Sequence, residues 1–247
     1  MIKFLSYGLI FIEQSEKSLE NQKLHVNLDQ PIRIEQRARM AIKETDSPAK
    51  KTRIQERRKK LVLDCALEVF ASFGFHGATI DQIATKADLS KPNVLYYFKG
   101  KEDIYLTLLQ RTLEGWLDPF LAIDPTGDPM VELEKYVSNK MELSFEMPLP
   151  SRLFAMEVLN GAPHMQEGMR TTLRAIVDEK AAVIQAWMDK GELKPVDPHH
   201  LIFSIWSVTQ HYADFAVQIE CLLGNPPSRI VAKEAVIEIL LRGLRVS

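Results

Sequence analysis

Residues 79–101 read Thr-Ile-Asp-Gln-Ile-Ala-Thr-Lys-Ala-Asp-Leu-Ser-Lys-Pro-Asn-Val-Leu-Tyr-Tyr-Phe-Lys-Gly-Lys. They hold a dense set of side chains suited to meeting a polyanion. Ser90, Lys91 and Asn93 fall within four residues. In the first turn of a helix, such side chains stand beside free backbone N–H groups and the positive end of the dipole, which favour phosphate. From there an amide or an ammonium reaches base edges as well as backbone oxygens. Tyr96 and Tyr97 add hydroxyl donors, and Lys101 adds a further cation for phosphate. Upstream, Arg53 belongs to the basic run Lys50-Lys51-Thr52-Arg53, followed by Arg57-Arg58-Lys59-Lys60. A basic arm of that kind adds salt-dependent affinity for any nucleic acid sequence. Taken alone, the basic run reads equally as a solvated helix face, and the tyrosine pair as core packing.

Those side chains act together only if two short helices hold them at a fixed angle. Thr79 is placed to cap a helix over 80–86, and Ser90 to cap a second over 91–98. Ala87-Asp88-Leu89 forms the turn between them. Ile83 and Ala84 face inward, Leu89 plugs the turn, and Val94 with Leu95 anchors the second helix. This is a helix-turn-helix, whose second helix enters the major groove. Pro92 is tolerated because it lies in the first turn.

The flanking sequence is helical throughout. A helix over 54–73 carries apolar residues at 62, 63, 66, 67, 69, 70 and 73 and stops at Gly74. A fourth helix spans 101–120 and ends at Asp118-Pro119. Further helices are expected at 129–147, 151–161, 165–190, 198–222 and 229–244, separated by Pro and Gly breaks. No segment keeps a strand period. The expected fold is all-α: a three-helix helix-turn-helix domain over 50–100, then a helical bundle over 101–247 for effector binding and dimerisation. Residues 1–49 lack a clear period and read as a weakly structured extension. Met40, followed by a short polar lead, is the expected native start.

Composition excludes several classes. The net charge of −2 is uninformative in bulk, but residues 50–101 carry eleven Lys/Arg against five Asp/Glu, leaving the remainder acidic. The apolar run over 4–12 is too short to span a bilayer, and no cleavage site follows it. The chain reads as soluble and cytoplasmic, with no membrane partner. Cys65 and Cys221 both fall in apolar helical patterns and read as buried, unpaired core residues. His199-His200 with Asp197, His164, His211 and Asp214 would be the raw material of a metal-dependent enzyme. Adjacent histidines on a helix diverge by ~100°, however, and no HExxH, Walker, GxGxxG or GxSxG motif is present. No catalytic residue, cofactor or metal site is expected. An architectural DNA-binding protein without a ligand is a third class, disfavoured by the size of the C-terminal region.

The residues 73–79 (Phe-Gly-Phe-His-Gly-Ala-Thr), Ile83-Ala84 and 95–102 (Leu-Tyr-Tyr-Phe-Lys-Gly-Lys-Glu) closely resemble the DNA-binding domain of the TetR (tetracycline-repressor) family. The resemblance implies a homodimer that binds a palindromic operator, usually as a repressor released by a small molecule. It also implies DNA contacts by Thr79, Lys91, Asn93, Tyr97 and Lys101; Tyr96 is either a contact or a core residue. The C-terminal half is similar to the branch of that family that responds to the pyrimidines uracil and thymine. The similarity rests on 151–157 (Ser-Arg-Leu-Phe-Ala-Met-Glu), Gly161-Ala162-Pro163, Asp178-Glu179-Lys180 and the run from Asp197 to Gln218. A regulator of pyrimidine breakdown is thereby implied, with another small nitrogen heterocycle as the alternative effector.

Read from the residues alone, the C-terminal half is less specific. Phe203, Trp206, Ser207, Gln210 and Asp214 share one helix face, and Leu201, Ile205, Val208, Tyr212 and Phe215 another. Trp206 suits stacking on a flat ring, and Gln210 suits donating to its carbonyl while accepting from its N–H. Trp116, Phe120 and Asn160 are further candidate lining. An aromatic stripe at this spacing equally builds a core, and the polar residues equally form a subunit interface. The last two helices, with Ile219, Leu222, Ile230, Val236, Ile237, Ile239, Leu240 and Leu244, are the expected dimer surface.

Overall fold

The computed structural model describes residues 48–246, and side chains from residue 52 onward. The expectations about 1–47, including the start at Met40, lie outside the described residues. Among the described residues there is no strand, and no helix is long and apolar enough to cross a membrane.

The first helix, α1 (Pro48–Gly77), is two helical pieces joined at Gly74, whose φ of 66° and ψ of 176° only glycine adopts readily. The break expected at Gly74 is therefore local, and one more turn follows it. α2 (Ile80–Lys86) opens on a reciprocal cap. Thr79 Oγ1 accepts from the Gln82 amide N–H at 3.2 Å, while Gln82 Oε1 accepts from the Thr79 N–H at 2.8 Å. α3 (Lys91–Tyr97) opens on Ser90, which accepts from the Asn93 N–H at 3.4 Å. Between them Asp88 takes a left-handed φ of 52°, a conformation Asp tolerates better than most residues. Val62, Phe70, Ile83, Val94 and Ile104 are fully buried and lock these three helices and the start of the next into one core.

α4 (Lys101–Leu121) leads out of that core into a second one. It was expected to end at Asp118-Pro119 but runs through Pro119 to Leu121. A proline inside a helix clashes with the carbonyl four residues back. That residue is Gly115, which has no side chain to crowd the adjustment. α5 (Pro129–Glu146) and α6 (Pro148–Leu159) follow, each with proline in its first turn. Pro148 and Pro150 thus start α6 rather than only breaking the chain before it. Next come a short turn, α7 (Gln166–Gly168), a π-helical segment over Met169–Leu173, and α8 (Arg174–Asp189). α9 (Pro198–Asp214) is capped by Asp197, which accepts from the His200 N–H at 2.9 Å. The expected single helix over 198–222 breaks at Phe215, whose φ of −115° and ψ of 26° are not helical, and α10 (Ala216–Leu223) follows, ending at Gly224, left-handed at φ 74°. α11 (Arg229–Leu241) closes the chain with a 3-10 turn over Arg242–Leu244.

The second core packs α5 against α9 and α11, with α4 and α8 alongside, around Phe120, Leu133, Tyr136, Ile184, Trp187, Ile202 and Ile205. Each such side chain taken wholly out of water contributes ~1.5–3 kcal/mol. Two expectations fail in this region. Cys221 is exposed, unlike the buried Cys65. Val236 and Leu244, expected at a subunit surface, are buried in the chain's own core at 2% and 3% exposure.

Candidate nucleic-acid interface and effector chamber

The helix-turn-helix presents a continuous polar face. Thr79, Ser90, Lys91, Asn93 and Tyr96 are all exposed, and Tyr97 is half-buried against the core. Tyr96 and Tyr97 meet edge to face at 5.0 Å. Gln55 Nε2 donates to the Tyr96 hydroxyl at 3.2 Å, tying the early turns of α1 to α3. Arg53, two residues before Gln55, is exposed, as are Arg57 and Arg58. Lys91 Nζ bonds Asp81 Oδ2 at 2.9 Å with both side chains at least half exposed. A pair of that kind is worth ~0–1 kcal/mol and exchanges readily for a phosphate.

Lys101 differs from the rest. Its ammonium donates to the carbonyls of Phe75 at 2.7 Å and Ala78 at 3.0 Å, and lies 4.6 Å from the centre of the Phe75 ring. It therefore closes the C-terminal end of α1 from the first residue of α4, a structural duty beside the phosphate contact expected of it. At the other end of α4, buried Lys180 on α8 donates to the carbonyls of Leu121 at 3.1 Å and Ile123 at 3.3 Å. Both ends of α4 are thus held through backbone carbonyls, where cations are favoured.

The expected ligand residues fall into two groups. Trp116, Phe120 and Trp206 converge with α5. Phe120 lies 5.1 Å from the Tyr136 ring and 5.9 Å from that of Trp206, and Trp206 Nε1 donates to the Tyr136 hydroxyl at 2.6 Å. One turn along α5 from Tyr136, Lys140 Nζ stands 4.5 Å over the Trp116 ring, which meets Phe154 edge to face at 5.1 Å. One and two turns along α9 from Trp206 come Gln210 and Asp214. The Asp214 carboxylate accepts from the Ser151 hydroxyl at 2.5 Å, and burial pushes its pKa up. Asn160 is set apart from this group. It is exposed at the end of α6, and its amide donates to the Met156 carbonyl at 2.7 Å. Phe203 is about half exposed and, with Trp206, lines a shallow groove of about 390 Å³ beside the π-helical segment and His199.

Sequence reasoning missed Tyr136, Lys140 and Ser151. Lys140 had a legible signal: it stands seven residues after Leu133 and four after Tyr136, on the apolar stripe of α5, where a lysine is out of place. The histidines do not converge. His199 Nε2 meets Asp178 at 3.0 Å, His164 meets Glu157, and His211 stacks on Phe215 at 4.9 Å. Among the described residues no three metal-ligating side chains cluster.

A capped pair of short helices with an exposed polar recognition face, joined by one helix to a larger helical bundle, defines a helix-turn-helix transcriptional regulator. Residues 62–108 match the profile of the bacterial regulatory proteins of the tetR family, and residues 109–247 match that of the YcdC-like protein C-terminal region. The chain is 45% identical over 175 residues to the HTH-type transcriptional regulator RutR of Escherichia coli (strain K12), covering 71% of this chain and 82% of that protein. It is similar in fold to a bacterial regulatory protein in the tetR family from Rhodococcus RHA1, with a TM-score of 0.63 at 21% identity over 77% of this chain and 98% of that one. It also shares the fold of AibR in complex with isovaleryl coenzyme A and operator DNA, at a TM-score of 0.56 and 12% identity over 74% of this chain and 97% of that one. The chain belongs to the TetR family of transcriptional regulators.

Proposed function

We propose that this regulator is a cytoplasmic homodimeric repressor that grips a palindromic operator and lets go when a pyrimidine such as uracil or thymine fills the chamber between α4, α5 and α9. The supporting observation is the make-up of that chamber. Trp116, Phe120, Tyr136 and Trp206 supply aromatic surface, and the half-buried Gln210 amide has no hydrogen-bond partner among the described residues. A flat ring with alternating N–H and carbonyl groups matches an amide, which both donates and accepts.

On the DNA side, Thr79, Ser90, Lys91, Asn93, Tyr96 and Tyr97 face the groove and its phosphates, with Lys101 at the edge and Arg53 on the arm. The second subunit docks on α10 and α11, where Leu222, Leu223, Ile230, Val231 and Ile239 leave an exposed apolar surface.

The two activities are joined by α4. Its 21 residues span about 30 Å, from Lys101 beside the recognition face to Trp116 and Phe120 in the chamber. A ligand that shifts this helix changes the separation of the paired recognition helices. The half-sites lie roughly 34–36 Å apart, so a small change spoils simultaneous engagement. The test is fluorescence anisotropy of labelled promoter DNA from the protein's own genomic neighbourhood, titrated with protein in the absence and presence of uracil. Salt-dependent binding that uracil weakens supports the reading. Binding that no pyrimidine alters removes pyrimidines as the effector.

A further inference from the structure

Gln55 lies two turns ahead of Val62, where the buried stripe of α1 begins among the described residues, so its turn of helix has no core beneath it. It nevertheless reaches across the motif, and its side-chain amide donates to the Tyr96 hydroxyl at 3.2 Å. One turn further along α1, the Lys59 ammonium stands 5.7 Å from the centre of the Phe98 ring. The basic start of α1 therefore rests on the end of α3 at two successive levels. Tyr96 itself is 70% exposed. Its ring is set edge to face on Tyr97 at 5.0 Å, while Tyr97 packs inward on the core. Of the two tyrosines, Tyr97 is the one that fills space. Tyr96 faces water, yet it is held at both its ring and its oxygen.

We propose that Gln55 is a positioning residue for DNA binding: by donating to the Tyr96 oxygen, it turns the hydroxyl hydrogen outward, toward a phosphate of the duplex. The inference rests on the DNA reading above, independently of the effector, and deepens it. A phenol oxygen carries one hydrogen and can also accept. A neighbour that only accepts would take that hydrogen. A neighbour that donates occupies a lone pair and leaves the hydrogen free. Phosphate oxygens only accept, so a tyrosine that meets them needs its hydrogen to give. The two contacts also fix the side chain before DNA arrives, so little rotamer freedom remains to be lost on binding. A neutral hydroxyl neutralises no phosphate charge and releases no counterion. Its contact adds affinity without adding to the salt slope, unlike that of a lysine or an arginine.

Fluorescence anisotropy over a range of salt tests this, with labelled promoter DNA from the protein's own genomic neighbourhood and an unrelated duplex of equal length. The proteins are the full chain as wild type, Tyr96→Phe, Gln55→Met, Gln55→Glu and the two double variants. Tyr96→Phe should weaken binding to both duplexes about fivefold, with the slope of log affinity against log salt unchanged. Gln55→Met should cost about threefold in the wild-type background and nothing further in Tyr96→Phe. Gln55→Glu, whose carboxylate only accepts, should draw the hydroxyl inward and cost more than Gln55→Met. The part of that loss that persists in Tyr96→Phe is the added charge, and it should fade as salt rises. Every variant should melt within about 3 °C of wild type, which separates positioning from unfolding. Gln55→Met that binds DNA like wild type, or that loses equally in both backgrounds, overturns the proposal. A lower salt slope in Gln55→Met also overturns it, because Gln55 would then seat the basic turns of α1 instead. A loss confined to the promoter duplex overturns the phosphate assignment. Wild type that binds neither duplex removes the DNA reading, and the proposal with it.

Discussion

Phe75 and His164 stand ring against ring at 4.6 Å, so the end of α1 touches the loop that follows α6. Phe75 also meets Tyr105 at 4.8 Å and carries the Lys101 ammonium on its face. Behind it, the buried Glu157 carboxylate accepts from the His164 N–H at 2.7 Å and from the Tyr105 hydroxyl at 3.1 Å. The turn that feeds the recognition motif is thereby fastened to the C-terminal bundle at a second point besides α4.

Phe75→Ala should therefore do two things. Loss of the packed ring should cost about 2–4 kcal/mol, read as a lower Tm. Uracil should still bind, but a higher concentration should be needed to release DNA, because one fastening is gone. Anisotropy measured with and without uracil checks the second effect; release at the wild-type concentration would show that the contact is only structural.

Lys101→Ala removes two charged hydrogen bonds that close α1. A loss of about 1.5–3 kcal/mol in stability is expected from thermal melts. If the remaining N–H also meets a phosphate, the slope of log affinity against log salt should fall by about one unit, equally for operator and unrelated DNA. An unchanged Tm would contradict the closing role, and an unchanged slope the phosphate role.

Asp81→Asn frees Lys91 from its exposed ion pair and removes a negative charge from the DNA-facing surface. DNA affinity should rise a few-fold at low salt, and the gain should fade as salt screens the charges. A gain that persists unchanged at high salt would point to a base contact instead.

The buried Lys140 predicts a pH dependence. Its ammonium is lowered from 10.5 to about 8 chiefly by burial, with Asp214 opposing, while Arg152 on α6 and His211 on α9 act on that same aspartate. Between those values the unfolded chain binds more protons than the folded one, so this contribution to stability rises with pH. Below pH 8 the penalty is complete, at most about 3 kcal/mol. Lys140→Met should thus be more stable than wild type at pH 7.5, with the gap narrowing toward pH 10 in denaturant titrations. A gap independent of pH would mean that Lys140 is not buried as a cation.

The helix-turn-helix was legible because its signals are local. Thr79, Ser90 and Asp197 cap the helices they precede, and Ile83, Ala84 and Val94 fill the core their spacing implies. The candidate effector site was half legible. Trp206 and Gln210 share a face by periodicity alone, and Trp116 and Phe120 are one turn apart. What faces them is set by how α4, α5 and α9 cross, which no local pattern encodes. Tyr136 was missed on that account, Lys140 was missed although its place on the apolar stripe of α5 marks it, and Asn160 was included although it is exposed. The break at Phe215 carries no proline or glycine, so it left no mark. The carbonyl partners of Lys101 and Lys180 are likewise tertiary, and a lysine in sequence looks the same whether it meets a phosphate, a carbonyl or water.

The central claim is that ligand and operator compete through one coupled structure, and linkage tests it most directly. Uracil is titrated calorimetrically into the free protein and into the saturated operator complex, and operator affinity is measured with and without saturating uracil. The account predicts that uracil binds the free protein more tightly, by the same factor by which it weakens operator binding. Equal uracil affinity for the free and the DNA-bound protein would contradict it.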